Sequence, residues 1–123
     1  MVARRAERKG QARKPSARSR FPAARLDALI EEAIVDAYTP GEQAVGFHAT
    51  IEQHLALPFE TVVLGATVTV KKIDVTASGH IVAVCHRGRE RQAIPILDLP
   101  LPAPPPAGWE WIEAYRRWAR GQW

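Results

Sequence analysis

Residues 34–47 read IVDAYTPGEQAVGF and join two runs of apolar residues, each spaced like one face of a helix. Within this stretch Thr39, Pro40 and Glu42 form a helix start signal. The threonine is a good N-cap, the proline suits the first helical position, and the glutamate stands where a capping box needs it. The apolar positions of the two faces are Leu26, Leu29, Ile30, Ala33, Ile34 and Ala37 before the signal, and Ala44, Phe47, Ile51 and Leu55 after it. The stretch therefore predicts two amphipathic helices joined by a tight turn.

Two carboxylates, Asp36 and Glu32, stand at the end of the first predicted helix. The free carbonyl groups already make a helix C-terminus negative, and like charges four residues apart repel each other. Such a helix end is unfavourable unless a cation lies nearby. A hard cation such as Ca²⁺ prefers oxygen ligands of this kind. The sequence therefore indicates a divalent metal at the turn.

The chain beyond the turn changes from helical to strand periodicity and back. The predicted helices span residues 22–37, 40–56 and 108–120, and the predicted strands span 61–64, 66–75, 80–86 and 91–97. Pro58 ends the second helix, and a change of phase at Lys71-Lys72 predicts a bulge in the second strand. Five prolines between residues 100 and 106 predict a semi-rigid strap that carries the chain to the last helix. An alternative role for this segment is docking into an aromatic groove of a partner.

These elements predict an α+β fold. A few antiparallel strands are not stable as a flat sheet alone, and curling them into a barrel buries their apolar face. We expect the N-terminal helix pair to pack on a small SH3- or Sm-like antiparallel barrel, with a C-terminal helix. A four-stranded sheet backed by helices is the alternative.

The charge of the chain is concentrated at its N-terminus. Residues 1–20 hold eight Lys or Arg and one acid, a net charge of +7, whereas the whole chain carries +4, so residues 21–123 carry −3. This composition predicts a disordered basic tail over 1–20 and a single domain over 21–123. The tail either keeps the protein in solution or contacts nucleic acid or another anionic partner. The residues available for that contact are Arg4, Arg5, Arg8, Lys9, Arg13 and Lys14.

Several function classes have no support in the sequence. Cys85 is the only cysteine, which excludes an internal disulfide and a cysteine-based zinc site and fits a reducing compartment. The sequence shows no phosphate-binding glycine loop, no zinc-protease motif and no EF-hand loop. It has neither an apolar run long enough to span a membrane nor a secretory signal. We therefore expect a cytoplasmic protein that is not an enzyme and has no membrane partner.

The stretch around the turn resembles a known family. The small calcium-binding proteins of cyanobacterial type, also found in other bacteria and in archaea, share a pattern close to IVDAY-x-x-x-EQ-x-x-G-aromatic. A helix ending in L-x-x-PF, strands and a tryptophan-bearing helix follow it. The matching positions here are Ile34-Val35-Asp36-Ala37-Tyr38, Glu42-Gln43, Gly46-Phe47, Ile51-Glu52, Leu55, Leu57-Pro58-Phe59 and Trp118-Ala119-Arg120-Gly121. The resemblance spans about residues 24–121.

The resemblance implies a protein that binds Ca²⁺ without catalysis, as a buffer or a sensor. Asp36 and Glu42 match the acidic positions of the family motif, and Glu32 and Glu113 are further candidate ligands. Family members usually place more acids between the two motif positions, where this chain has Thr39-Pro40-Gly41. Because calcium affinity follows the number of charged ligands, the site is expected to be weak or lost. A barrel module whose basic tail contacts nucleic acid or another anion is the alternative function.

Overall fold

The structure, a computed structural model, describes residues 20–123. Helix α1 spans Ala23–Ala33 and helix α2 spans Pro40–His54. Strands β1 to β4 follow, and they span Phe59–Val63, Ala66–Val75, Ile81–Arg87 and Glu90–Pro95. A 3₁₀ turn spans Ile96–Asp98, and helix α3 spans Glu110–Ala119. The α+β class is therefore confirmed. None of the helices in residues 20–123 combines the length and apolar character that crossing a bilayer requires.

The four strands form one antiparallel sheet in sequence order, β1-β2-β3-β4. Val70 pairs with Cys85 and Lys72 pairs with Val84, so Lys71 is an extra residue that shifts the register of β2 against β3. This is the predicted bulge. It changes which face the side chains occupy, so that Val70 and Ile73 both reach the core.

A closed barrel is not confirmed. Strands β1 and β4 stand at opposite edges of the sheet and do not pair with each other, so the sheet stays open. The alternative of a four-stranded sheet backed by helices describes the arrangement better. Within the described residues, the helices bury much of the apolar face, whereas Val63, Val68 and Ile94 near the hairpins stay partly exposed.

The core lies between the inner face of the sheet and the three helices. The largest fully buried side chains are Phe47, Ile30, Ile51, Ile73, Ile81, Ile96, Ile112 and Val70. Tryptophans of the last helix complete this core: Trp111 is buried, and the Trp118 ring centroid lies 5.2 Å from that of Phe47. Helix α3 therefore docks onto the body of the domain.

The proline-rich segment crosses the body and delivers the chain to α3. The Thr61 hydroxyl donates to the Pro100 carbonyl at 2.6 Å, and the Ala56 N–H donates to the Ala107 carbonyl at 2.8 Å. Gly108 follows with φ +89° and packs against the backbone of His54. These contacts tie the segment to β1 and to the end of α2. The strap interpretation is confirmed.

Candidate metal centre

The α1–α2 turn has the capping geometry that its sequence predicts. The Thr39 hydroxyl accepts a hydrogen bond from the Glu42 N–H at 3.1 Å. One carboxylate oxygen of Glu42, Oε1, accepts from the N–H groups of Tyr38 and Thr39 at 2.8 and 3.1 Å. These bonds satisfy amides that the start of α2 would leave without partners. Glu42 therefore has a structural role, and its second oxygen, Oε2, accepts none of these bonds.

Asp36 lies after the first helix and not in its last turn, which corrects the predicted helix boundary of residue 37. Helix α1 ends at Ala33, and Ile34 leaves the helical conformation with φ −106° and ψ 14°. The Ala37 N–H then donates to the Ile34 carbonyl at 2.9 Å, which closes a separate turn around Asp36. The side chain of Asp36 is exposed, and no side chain or backbone group within residues 20–123 bonds to it.

The two further candidate ligands differ in their surroundings. Glu32 is exposed near the end of α1 and, within the described part of the chain, forms no ion pair. Glu113 lies on α3, where its carboxylate stands 3.6 Å from the Arg116 guanidinium. The same guanidinium donates to the Leu97 carbonyl at 3.1 Å, which fixes it between α3 and the 3₁₀ turn. Glu113 is thus balanced by a positioned cation, whereas Glu32 and Asp36 are not.

The remaining residues of the motif hold the helices together. Gln43 accepts a hydrogen bond from the indole N–H of Trp118 at 3.0 Å. Gly46 brings α2 so close to α1 that an added Cβ would overlap the Ala33 carbonyl. Phe47 is fully buried and its ring packs against those of Tyr115 and Trp118. Sequence reasoning did not find the Gln43–Trp118 bond. The only available signal was the high number of tryptophans near the last helix.

His48 is a packed residue, as its position on the apolar face predicts. Its ring Nε2 lies 3.1 Å from the Ile73 carbonyl, so that nitrogen carries a proton and donates to the carbonyl. The Glu52 carboxylate lies 4.0 Å away on the exposed side. This contact fixes α2 on strand β2 and gives His48 a structural role.

The carboxylates of Asp36, Glu32 and Glu42 near the turn are oxygen donors, the type of ligand that Ca²⁺ takes together with carbonyl and water oxygens. Within residues 20–123, however, no group of three or more His, Cys, Asp or Glu side chains is arranged to hold a metal ion. Water and backbone oxygens would have to complete the usual six to eight ligands.

The family assignment agrees with the resemblance of the motif. A sequence model of the CcbP family, described as calcium binding, matches residues 27–119. The chain therefore belongs to this calcium-binding family. No curated protein and no solved structure matches the chain.

The comparisons give the alternative function no support, because the matched family is described only as calcium binding. Its candidate contact residues, Arg4, Arg5, Arg8, Lys9, Arg13 and Lys14, all lie outside the described residues, as does the predicted tail apart from Arg20.

Proposed function

We propose that this protein binds Ca²⁺ at the α1–α2 turn, with Asp36 as the principal ligand, and acts as a buffer or sensor without catalysis. Membership of the calcium-binding family over residues 27–119 is the observation that carries this proposal. The turn is preferred to other acidic positions because Asp36 stands at the acidic position of the family motif, and its carboxylate is exposed and unpaired among the described residues. Elsewhere, the carboxylates of Asp27 and Glu110 already face arginines.

Glu42 and Glu32 are proposed as supporting ligands. Glu42 supplies Oε2 while Oε1 keeps the capping box closed, so ion binding and helix capping use different oxygens of one carboxylate. Glu32 lies near the end of α1, four residues before Asp36, and adds negative charge close to the turn. Glu113 remains a candidate of lower rank, because metal binding would compete with its Arg116 partner.

The affinity of such a site is low. Only two or three carboxylates are available, and exposed charges are screened by salt and water. With Thr39-Pro40-Gly41 in the turn, no further carboxylate stands between Asp36 and Glu42. We therefore expect a dissociation constant on the order of 0.1–1 mM, as in calcium sites with few charged ligands.

Titration calorimetry of the full chain with Ca²⁺ and with Mg²⁺ tests the proposal. Asp36→Asn keeps the size of the side chain and removes its charge, and it should weaken Ca²⁺ binding by about tenfold or more. Glu60→Gln is the matched control, since Glu60 is an exposed carboxylate on β1 and its change should leave affinity within about twofold. The absence of heat at millimolar Ca²⁺ would refute the proposal, and equal losses in both variants would remove Asp36 from it.

Glu42→Gln separates the two roles of Glu42. Its amide oxygen still accepts from the N–H groups of Tyr38 and Thr39, so the free energy of unfolding should change by less than about 0.5 kcal/mol. The Ca²⁺ affinity should fall several-fold because a charged ligand is lost. Unchanged affinity with unchanged stability would show that Glu42 only caps the helix.

A further inference from the structure

The open sheet leaves a cavity of about 500 Å³ on its inner face, at the end formed by the β1–β2 and β3–β4 hairpins. The residues that line it are Val63, Leu64, Ala66, Val68, Cys85, Arg87, Glu90, Arg91, Gln92 and Ile94. The α1–α2 turn contributes none of these residues, so the cavity is separate from the candidate metal centre. Its volume lies within the range of small-molecule sites in proteins.

The lining of this cavity is apolar in part, and Arg87, Glu90, Arg91 and Gln92 supply its polar part. Val63, Val68 and Ile94 are only partly buried although they pack against the core, and Cys85 is buried beside them. At this end of the sheet, side chains that pack against the core are therefore also exposed to solvent. At the tip of the β1–β2 hairpin, Leu64 is fully exposed and has a left-handed backbone with φ 49°. Leu64 and Gly65 both have positive φ and form the two-residue turn between Val63 and Ala66, which accounts for the left-handed backbone of Leu64.

The mouth of the cavity carries cations without partners. Within residues 20–123, Arg87 and Arg91 form no ion pair and no side-chain hydrogen bond. Glu90 stands opposite Arg87 in the β3–β4 ladder, yet the two side chains do not pair. By contrast, the arginines that lie against the helices are paired with carboxylates: Arg25 with Glu110, Arg116 with Glu113 and Arg117 with Asp27.

We propose that this cavity binds a small amphipathic carboxylate, whose aliphatic body lies along the valines and whose anionic end meets Arg87 and Arg91. Guanidinium groups bind carboxylates through charge-assisted and often paired hydrogen bonds. Apolar walls with a few polar groups that fix one end are the usual composition of a ligand site. The β3–β4 hairpin is also a local basic patch, with Arg87, Arg89 and Arg91 against one acid, on a body whose net charge is negative.

Two other occupants fit less well. The chain's own residues 1–20 carry eight cationic side chains, and these would meet like charges at the mouth. A second copy joined by two-fold symmetry would bring the same hairpin arginines from both copies into one interface, where like charges repel. A small anion meets neither obstacle.

The test is a calorimetric titration of the full chain with decanoate, with decylammonium as the probe of opposite charge. Replacing both Arg87 and Arg91 by alanine should weaken decanoate binding by about tenfold or more, as expected for the loss of charge-assisted hydrogen bonds. Arg89→Ala removes one charge from the hairpin tip, where the side chain does not line the cavity, and should weaken binding less than about twofold, whereas Arg87→Ala alone removes one charge from the mouth and should weaken it more. Ala66→Phe fills the cavity and should reduce binding by a similar factor without removing a charge. Circular dichroism confirms that each variant is folded.

Three results would overturn the proposal. The first is no heat with decanoate below its micelle concentration. The second is equal binding of decanoate and decylammonium, which would leave the arginines without a role. The third is a dimer in sedimentation that Leu64→Asp converts to a monomer, because a second copy would then cover the cavity.

Discussion

Gly46 has little freedom to change, because it lies where α2 approaches α1. Its α carbon lies where an added Cβ would overlap the Ala33 carbonyl, which belongs to the backbone and cannot rotate away. Alanine gains about 1 kcal/mol over glycine in a helix, but overpacking two helices costs more. We expect Gly46→Ala to lower the free energy of unfolding by about 2–3 kcal/mol, measured by urea denaturation.

Gly41 provides the matched control, because it lies in the same helix. The nearest atom to a Cβ there is the Thr39 hydroxyl oxygen at 3.9 Å, an ordinary contact. Gly41→Ala should therefore be neutral or stabilise the protein by up to about 1 kcal/mol. Equal stability of the two variants would mean that α1 and α2 do not approach as closely as the structure shows.

Tyr115 makes stability depend on pH in the alkaline range. Burial raises the pKa of its phenol above the ordinary value, and a hydrogen bond with the Ile81 backbone opposes this only in part. A group whose pKa is higher in the folded than in the unfolded state contributes stability that is fully present below the unfolded pKa of about 10. That contribution is lost as the pH rises further.

Denaturation of the wild type and of Tyr115→Phe between pH 8 and pH 11 tests this sign. The wild type should lose stability more steeply than the variant above about pH 10. All other titratable groups are common to the two proteins, so the difference between the two slopes isolates Tyr115. Parallel slopes would contradict the burial of its hydroxyl group.

Among the helices and strands, the bond between α2 and α3 is the most informative. The Trp118 indole N–H donates to the Gln43 side chain at 3.0 Å across 75 residues of sequence. Trp118→Phe keeps an aromatic ring beside Phe47 but removes the donor, and it should cost about 1–2 kcal/mol. Trp123→Phe is the control, since Trp123 is 49% exposed beyond α3; it should change stability by less than about 0.5 kcal/mol. A double-mutant cycle with Gln43→Met measures the bond itself.

Local chemistry made several elements predictable. The capping box at Thr39 and Glu42 involves residues three positions apart, and the Lys71 bulge appears as a change of phase within one strand. The end of α1 was placed too late because Ile34 and Ala37 continue the apolar pattern after the backbone has left the helix.

Barrel closure and the closest helix contact depend on distant parts of the chain. Whether β1 meets β4 is decided by the curvature of the whole sheet, and the approach of Gly46 to Ala33 by the packing of two helices. No single segment carries that information. For the candidate site, the sequence indicated exposed carboxylates at Asp36 and Glu32, but not that Arg116 balances Glu113.

At the scale of the whole molecule, the first and last helices depend on each other. Arg117 of α3 bonds to Asp27 of α1 at 2.8 Å, and the Phe21 and Trp109 rings lie 4.8 Å apart. Four side chains of α3 are buried: Trp111, Ile112, Ala114 and Tyr115. Burial of each large apolar side chain is worth about 1.5–3 kcal/mol, against a total stability of about 5–15 kcal/mol for a typical domain.

A chain ending at residue 107 should therefore show no cooperative thermal transition by circular dichroism. A chain ending at residue 121, which lacks only the exposed Gln122 and Trp123, should unfold cooperatively near the temperature of the full chain. Cooperative unfolding of the shorter chain would show that the sheet and the first two helices fold without α3.

The contact of Gly46 with Ala33 limits the conformational change that Ca²⁺ binding at the turn could cause. Helix α2 is fixed at two points, because Gly46 packs against the Ala33 backbone and Gln43, three residues earlier, bonds to Trp118. We therefore expect that an ion bound at Asp36 would not separate α1 from α2 and would not expose an apolar groove between them. Ion binding would instead change the electrostatic potential around the turn. A binding partner would then respond to the neutralised charge and not to a change of conformation.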